Sequence, residues 1–271
     1  MLGAKRTLAI MAFTLVSCSA QVVPATTPTT NAVVLRLNAS NATLPLLTDL
    51  TQQYAKIMPG VSFEINVSNY ASAVENAFSD DPVYFLTNHL PPEDNALWGA
   101  PVAHDAIVLI VPTDSVVRDL TLEQVRGIYQ GRIKNWAEVG GTSIEIVVIS
   151  REDGAGTRAE FERMVMGDRQ TTQSAQIAPS SSAVLASVMN QPGSIGYVSL
   201  SFLDVTVLPL TIDNVAPSQT TVRQNTYPLR NTLFFAGPRE PDGALRAFIG
   251  WAQSPAGQAV VAQRYIPLTM P

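Results

Sequence analysis

Ser150-Arg151-Glu152-Asp153-Gly154-Ala155-Gly156-Thr157-Arg158 is the stretch whose reading decides the fold. It follows Ile144-Glu145-Ile146-Val147-Val148-Ile149, an apolar, β-branched run that predicts a buried strand. It precedes Ala159-Glu160-Phe161-Glu162-Arg163-Met164-Val165, whose apolar spacing suits a helix. Thr157 and Glu160 read as a T-x-x-E capping box, placing the helix start at Thr157. A strand, a glycine loop and a helix N-terminus in that order can hold an anion, because backbone N–H groups and the positive end of the helix dipole point at it. Arg151 adds a planar fork of donors suited to a tetrahedral oxyanion. The same glycines also serve a plain strand-to-helix turn, and no Gly-Lys-Ser/Thr follows to make a P-loop.

Outward from this loop the chain alternates strands and helices. Strands are expected at Val33–Leu37, Val61–Val67, Val83–Thr87, Pro101–Val111, Ser194–Val198 and Thr232–Phe235. Helices are expected from Leu44 to Ile57, from a Ser72/Glu75 capping box through Phe78, from a Thr121/Gln124 box to Gly131, and over Ala183–Met189, Asp242–Gln253 and Ser254–Arg264. Asn214 to Asn225 reads as irregular. This alternation predicts parallel βαβ units and an α/β fold, in which ligands sit at the carboxyl ends of the strands. The loops after the first two strands and the loop after Ile149 lie at that edge and each opens a helix, so three helix N-termini can converge on one anion. The apolar run broken by His104-Asp105 suits a strand passing between lobes.

Composition excludes several function classes. The 271 residues are 46% hydrophobic and 14% charged, with a net charge of −5, and no basic cluster invites nucleic acid. His89 and His104 are the only histidines and Cys18 the only cysteine, too few for a His/Cys metal cluster or an internal disulfide. Without a Gly-x-Ser-x-Gly elbow, no catalytic residue is assigned and no enzyme, cofactor or metal is expected.

The amino terminus reads as a targeting segment. Lys5 and Arg6 precede a short apolar run over Thr7–Val16, and Leu15-Val16-Ser17-Cys18 resembles the lipobox of bacterial lipoproteins. That assigns 1–17 to a signal peptide, Cys18 to acylation and 18–31, rich in Thr and Pro, to a disordered tether. Losing two basic residues takes the net charge from −5 to −7, so an acyl anchor rather than charge would hold the mature chain at a membrane.

Several segments together resemble phosphate-binding periplasmic proteins, the substrate receptors of phosphate ABC transporters, within the type 2 periplasmic-binding fold. They are Pro101–Val108, Leu122–Trp136, the Arg151–Arg158 loop, Pro192–Val198 and Ser254–Val261, and the likeness spans Val33 to Leu268. The resemblance implies two hinged α/β lobes around an anion cleft: lobe I from 32–105 and 230–271, lobe II from 106–229. It implies a monomer that hands an inorganic oxyanion, phosphate in the first place, to an ABC permease. In the family an arginine and an Asp-Gly-Ser-Gly-Thr loop hold the anion. Arg151, Asp153, Gly154, Gly156 and Thr157 match, and Ala155 replaces the serine. In the first loop Ser40 remains, and Asn41 stands where a threonine donates. In the second, Asn69-Tyr70-Ala71-Ser72 replaces Gly-Ser-Gly and keeps only the hydroxyl of Ser72. Asn88 aligns with the aspartate that accepts the proton of hydrogen phosphate. These departures leave open a receptor for sulfate, molybdate or tungstate, or a drifted module that senses or docks without transporting.

Overall fold

A 15-residue strand, β4 (Trp98–Pro112), holds the molecule together in the computed structural model, which describes residues 33–90 and 97–268. The expected signal peptide, Cys18 and the tether lie outside the described residues. Upstream run β1 (Val33–Ala39), α1 (Leu44–Ile57), β2 (Val61–Val67), α2 (Tyr70–Ala77) and β3 (Tyr84–Thr87). Downstream come β5 (Asp119–Leu120), α3 (Leu122–Tyr129), β6 (Val147–Arg151), α4 (Gly156–Phe161), β7 (Gln176–Ala178), α5 (Ser181–Asn190) and β8 (Ser194–Ser199). The chain closes with β9 (Val207–Pro209), β10 (Thr211–Ile212), α6 (Gln219–Arg223), β11 (Arg230–Gly237), α7 (Gly243–Gln253), α8 (Pro255–Val261) and β12 (Ile266–Pro267).

The strands form a sheet in the order β2-β1-β3-β11-β4-β8-β6-β7. Its flanks are parallel, β1 with β2 and β3 on one side and β6 with β7 and β8 on the other. Its centre is antiparallel, which alternation alone did not predict: β11 pairs β3 and β4, and β4 pairs β8. The cause is chain path, since β4 leaves the first set of elements and β11 returns to it in the opposite direction. Trp98–Ala106 of β4 pair with β11, and Ile107–Ile110 pair with β8.

Each half of β4 carries its own core. One gathers Leu46, Leu47, Leu50 and Tyr54 of α1 with Phe235 and Phe248. Tyr54 and Phe248 meet edge to face at 5.1 Å. The other gathers Tyr129, Phe161, Val165 and Tyr197, with Phe161 stacked on Tyr197 at 4.2 Å. Both are fully buried aromatic assemblies, the largest apolar payload available per side chain.

The Thr121/Gln124 capping box forms as expected. Two others do not. Asn69 caps α2, its side chain accepting from the Ser72 N–H at 2.8 Å, so the helix cap lies three residues earlier than the Ser72/Glu75 pattern implies. Ala155 is the residue before α4, and Thr157 and Glu160 spend their side chains on other partners. The stretch Asn214–Asn225 is not all irregular: Ser218 and Thr221 form a capping box that opens α6.

Asp105, where β4 changes partner, is 2% exposed and accepts from the Ala106 N–H and the Ser199 hydroxyl. Burial outweighs those bonds and lifts its pKa from 3.8 to about 6. The folded state therefore holds a proton that the unfolded chain releases, and stability falls as pH rises from 3.8 to about 6. Asp105→Asn keeps the shape without the charge. It is expected to raise the melting temperature at pH 7.5 by roughly 5–10 °C, and at pH 4.5 by much less. Equal shifts at both pH values in thermal unfolding would contradict this account.

Candidate functional site

Three loops at the carboxyl ends of β1, β2 and β6 meet around a cavity of about 30 Å³, room for one compact ion. Ser40, Asn41 and Ala42 come from the first loop, Ser68 and Asn69 from the second, and Arg151, Glu152, Ala155, Gly156 and Thr157 from the third. Thr43 fixes the first loop: its hydroxyl accepts from the Ser40 N–H and donates to the Leu86 carbonyl at the end of β3. Ser68 contributes a buried hydroxyl that has no partner among the described residues.

Arg151 is 3% exposed at the end of β6. Its backbone N–H donates to the Tyr197 hydroxyl, and its Nε and one terminal nitrogen grip Glu152 at 2.9 and 2.8 Å. The other terminal nitrogen reaches Ser181 Oγ at 3.3 Å. Of five guanidinium N–H donors, three are thus engaged and two have no partner among the described residues. Glu152, 28% exposed, already compensates the arginine's charge, so the wall of the cavity is close to neutral.

The third loop is braced from outside. Arg158 donates to the Arg151 carbonyl at 3.1 Å and pairs with Asp153 at 2.5 Å and Glu162 at 2.8 Å. Asp153 accordingly faces solvent, its side chain 93% exposed, and neither lines the cavity nor touches Arg151. Gly154 adopts φ +81°, a left-handed conformation that suits glycine, and its carbonyl accepts from the Ala71 N–H at 3.3 Å. A Cβ on Gly156 would sit 2.6 Å from Asn88 Oδ1, which explains the second glycine as a close-approach residue. From Gly156 the helix continues through α4 into a π-type turn at Glu162–Met166.

Asn88 is 3% exposed and stands behind Thr157 rather than on the cavity wall, its Nδ2 donating to Thr157 Oγ1 at 3.2 Å. The Thr157 oxygen is thereby used as an acceptor, which leaves its own proton free to donate. Ser72 also lies off the wall, with its N–H held by Asn69. Tyr70 turns from the cavity to meet His89 edge-on at 5.0 Å, and burial pushes its hydroxyl pKa up to about 12, so it stays protonated.

The structure thus brings Ser40, Asn41, Arg151, Ala155, Gly156 and Thr157 together, and leaves Ser72, Asn88, Asp153 and Gly154 around the wall. Sequence reasoning missed Ser68, Asn69 and Glu152. Ser68 carries a readable signal, since it follows β2 as Ser40 follows β1. Glu152 carries none, because adjacent residues at a strand end are not expected to pair. Outside the cavity, His89 Nδ1 meets Glu160 Oε2 at 2.9 Å, and Arg163 holds the same carboxylate. Those bonds keep the Glu160 pKa below the usual carboxylate range despite burial, which by itself acts to raise it. No group of three His, Cys, Asp or Glu residues among those described could hold a metal ion.

A sequence model described as a PBP superfamily domain matches residues 25–256. The "Phosphate-binding protein PstS" of Bacillus subtilis is 27% identical over 244 residues, covering 87% of this chain and 81% of that protein. A Clostridium perfringens structure with bound phosphate, described as a phosphate ABC transporter substrate-binding protein, superposes with a TM-score of 0.81 at 28% identity, covering 87% of this chain and 100% of that one. An ABC-type phosphate transport receptor from Vibrio cholerae shares the fold, with a TM-score of 0.75 at 22% identity over 88% of this chain and 100% of that one.

Proposed function

The chain belongs to the PBP superfamily and has its two-lobed α/β fold, and from that premise we propose that it is an extracytoplasmic solute-binding protein that captures phosphate for an ABC transporter. The observation that carries the proposal is the small cavity where three strand-end loops present hydroxyls, backbone and two free N–H groups of a buried arginine. Arg151 neutralises ligand charge, Gly156 and Thr157 donate from the helix start, and Ser40, Asn41 and Ser68 close the cage from the other side. Ser72, Asn88, Asp153 and Gly154 act one step back, by holding those groups. No catalytic role is assigned. Lobe I is 32–105 with 230–271 and lobe II is 106–229, supported by the change of β4 partner after Ala106, the start of β11 at Arg230 and the two separate cores. Residues 1–17 are a signal peptide and Cys18 is acylated, so a monomer is tethered outside the membrane beside its permease. No described helix is long and apolar enough to cross a membrane.

If the protein is unfolded, freed of anion and refolded, phosphate at a hundred times its Kd should add about 2.7 kcal/mol of stability. Thermal unfolding with and without phosphate checks this, and an unchanged midpoint at 10 mM of each oxyanion, read against roughly that expectation, would count against capture. The second reading, a drifted module without transport, is favoured by one observation: Glu152 already occupies the charge of Arg151.

Asn88 sets the expected selectivity. Its Nδ2 leaves the Thr157 proton free to donate, a setting that accepts fully ionised sulfate as well as hydrogen phosphate. Asn88→Asp would draw that proton to the new carboxylate and place a negative charge behind the cage, penalising sulfate. Phosphate-over-sulfate preference in competition dialysis is expected to rise about tenfold, the effect of some 1.4 kcal/mol. An unchanged ratio would remove Asn88 from the account of selectivity.

A further inference from the structure

A second cavity, of about 360 Å³, lies on the far side of the Asn88–Thr157 bond. Asn88 and Leu90 form one wall, Glu160 and Arg163 another, and Arg230 and Asn231 at the start of β11 the third. The negative charge here is already spent, because the two oxygens of Glu160 are held by His89 and Arg163. The positive charge is not. Arg230 has no carboxylate partner among the described residues and makes one side-chain bond, to Asn225 Oδ1 at 3.1 Å. Its Nε is buried without a partner, as is Oδ1 of Asn231, a residue only 5% exposed whose amide donates to the Asn88 carbonyl at 3.3 Å.

The surroundings register this cation. Burial holds the Arg230 pKa below the ordinary arginine value. Nearby His104, bonded to Thr232 Oγ1 at 3.1 Å, has its pKa lowered to about 4 by burial and then by the charge of Arg230.

We propose that this cavity is a second anion site, distinct from the Arg151 cage, for a compact oxyanion that bears a proton. The oxygens of such an ion satisfy the Arg230 fork and its O–H donates to Asn231 Oδ1, so each buried orphan gains the partner its chemistry demands. Protonated phosphate has both features and sulfate at neutral pH has only the first. The site does not depend on the reading of the first cavity.

The test uses the full chain and inorganic phosphate. His89 and His104 are its only histidines, so the His104 ring proton is an identifiable reporter beside Arg230. At pH 5.5, adding phosphate is expected to move that resonance downfield saturably, as a bound anion offsets the charge of Arg230. The response should persist in Arg151→Ala, weaken more than tenfold in Arg230→Gln, and be partly restored in Arg230→Lys, which keeps the charge. A folded wild-type protein with no saturable response, or a response that survives Arg230→Gln or disappears in Arg151→Ala, would overturn the proposal. Sulfate is expected to bind several-fold more weakly, and an equal sulfate response would overturn the assignment of the proton to Asn231.

Discussion

Arg151→Ala is expected to weaken phosphate binding by about 10²–10³-fold, a loss of roughly 3–4 kcal/mol. Two effects add. The variant loses the one guanidinium among the described residues of the cavity wall, with its two unspent N–H groups. It also leaves Glu152 unpaired at that wall, so a neutral surface becomes an anionic one facing an anion. Arg151→Lys should recover only part of the loss, because one ammonium cannot hold Glu152 as a fork and serve the ligand as well. The fold should survive, since the Arg151 N–H remains bonded to Tyr197 and the strand register is a backbone matter. Calorimetric titration of the three proteins checks the ranking, and a loss below fivefold in Arg151→Ala would mean that the anion is held elsewhere.

Gly257→Ala is expected to produce the largest stability loss, about 3 kcal/mol. A Cβ at Gly257 would lie 2.3 Å from the Trp251 carbonyl oxygen and 2.5 Å from Ala252 Cα, both backbone atoms that no rotamer change can clear. α8 would have to lift from α7. That displacement pulls on Gln258, a fully buried side chain whose amide donates to the Val102 and Ala252 carbonyls and accepts from the Leu268 N–H. Gly250→Ala in α7 is the control: a Cβ there meets nothing within 4 Å, and the helix should gain about 0.5–1 kcal/mol. Urea unfolding midpoints report both, and a Gly257→Ala loss under about 1 kcal/mol would contradict the packing described.

How far the sequence could be read depended on whether the information was local. The longer strands and helices were legible from periodicity, and β4 from its apolar length broken at His104-Asp105, whereas short elements such as β7, β9, β10 and α6 were not. The antiparallel centre of the sheet was not, because it follows from where β11 returns, a fact of chain path. Capping motifs divided the same way. Thr121 found Gln124 with nothing else in reach, but Thr157 and Glu160 face Asn88 and His89 from a distant part of the chain, and those contacts took their side chains. In the site, Arg151, Gly156 and Thr157 could be named from the strand-loop-helix pattern. Asn88 reaches the cavity only through Thr157, and Glu152 compensates Arg151 by a side-chain geometry that spacing does not encode. The resemblance to phosphate receptors pointed to three loops that the structure brings around one cavity; which of their side chains face inward was decided by packing.

The central claim is that the three-loop cavity holds a tetrahedral anion through Arg151. Its most direct measurement is calorimetric titration of the refolded, anion-free protein with phosphate, followed by sulfate, molybdate and tungstate. A saturable heat with phosphate is expected whose Arg151-dependent part is lost in Arg151→Ala, leaving only the response of the Arg230 cavity. A folded protein that gives no heat with any of the four, or a phosphate heat unchanged in Arg151→Ala, would contradict it.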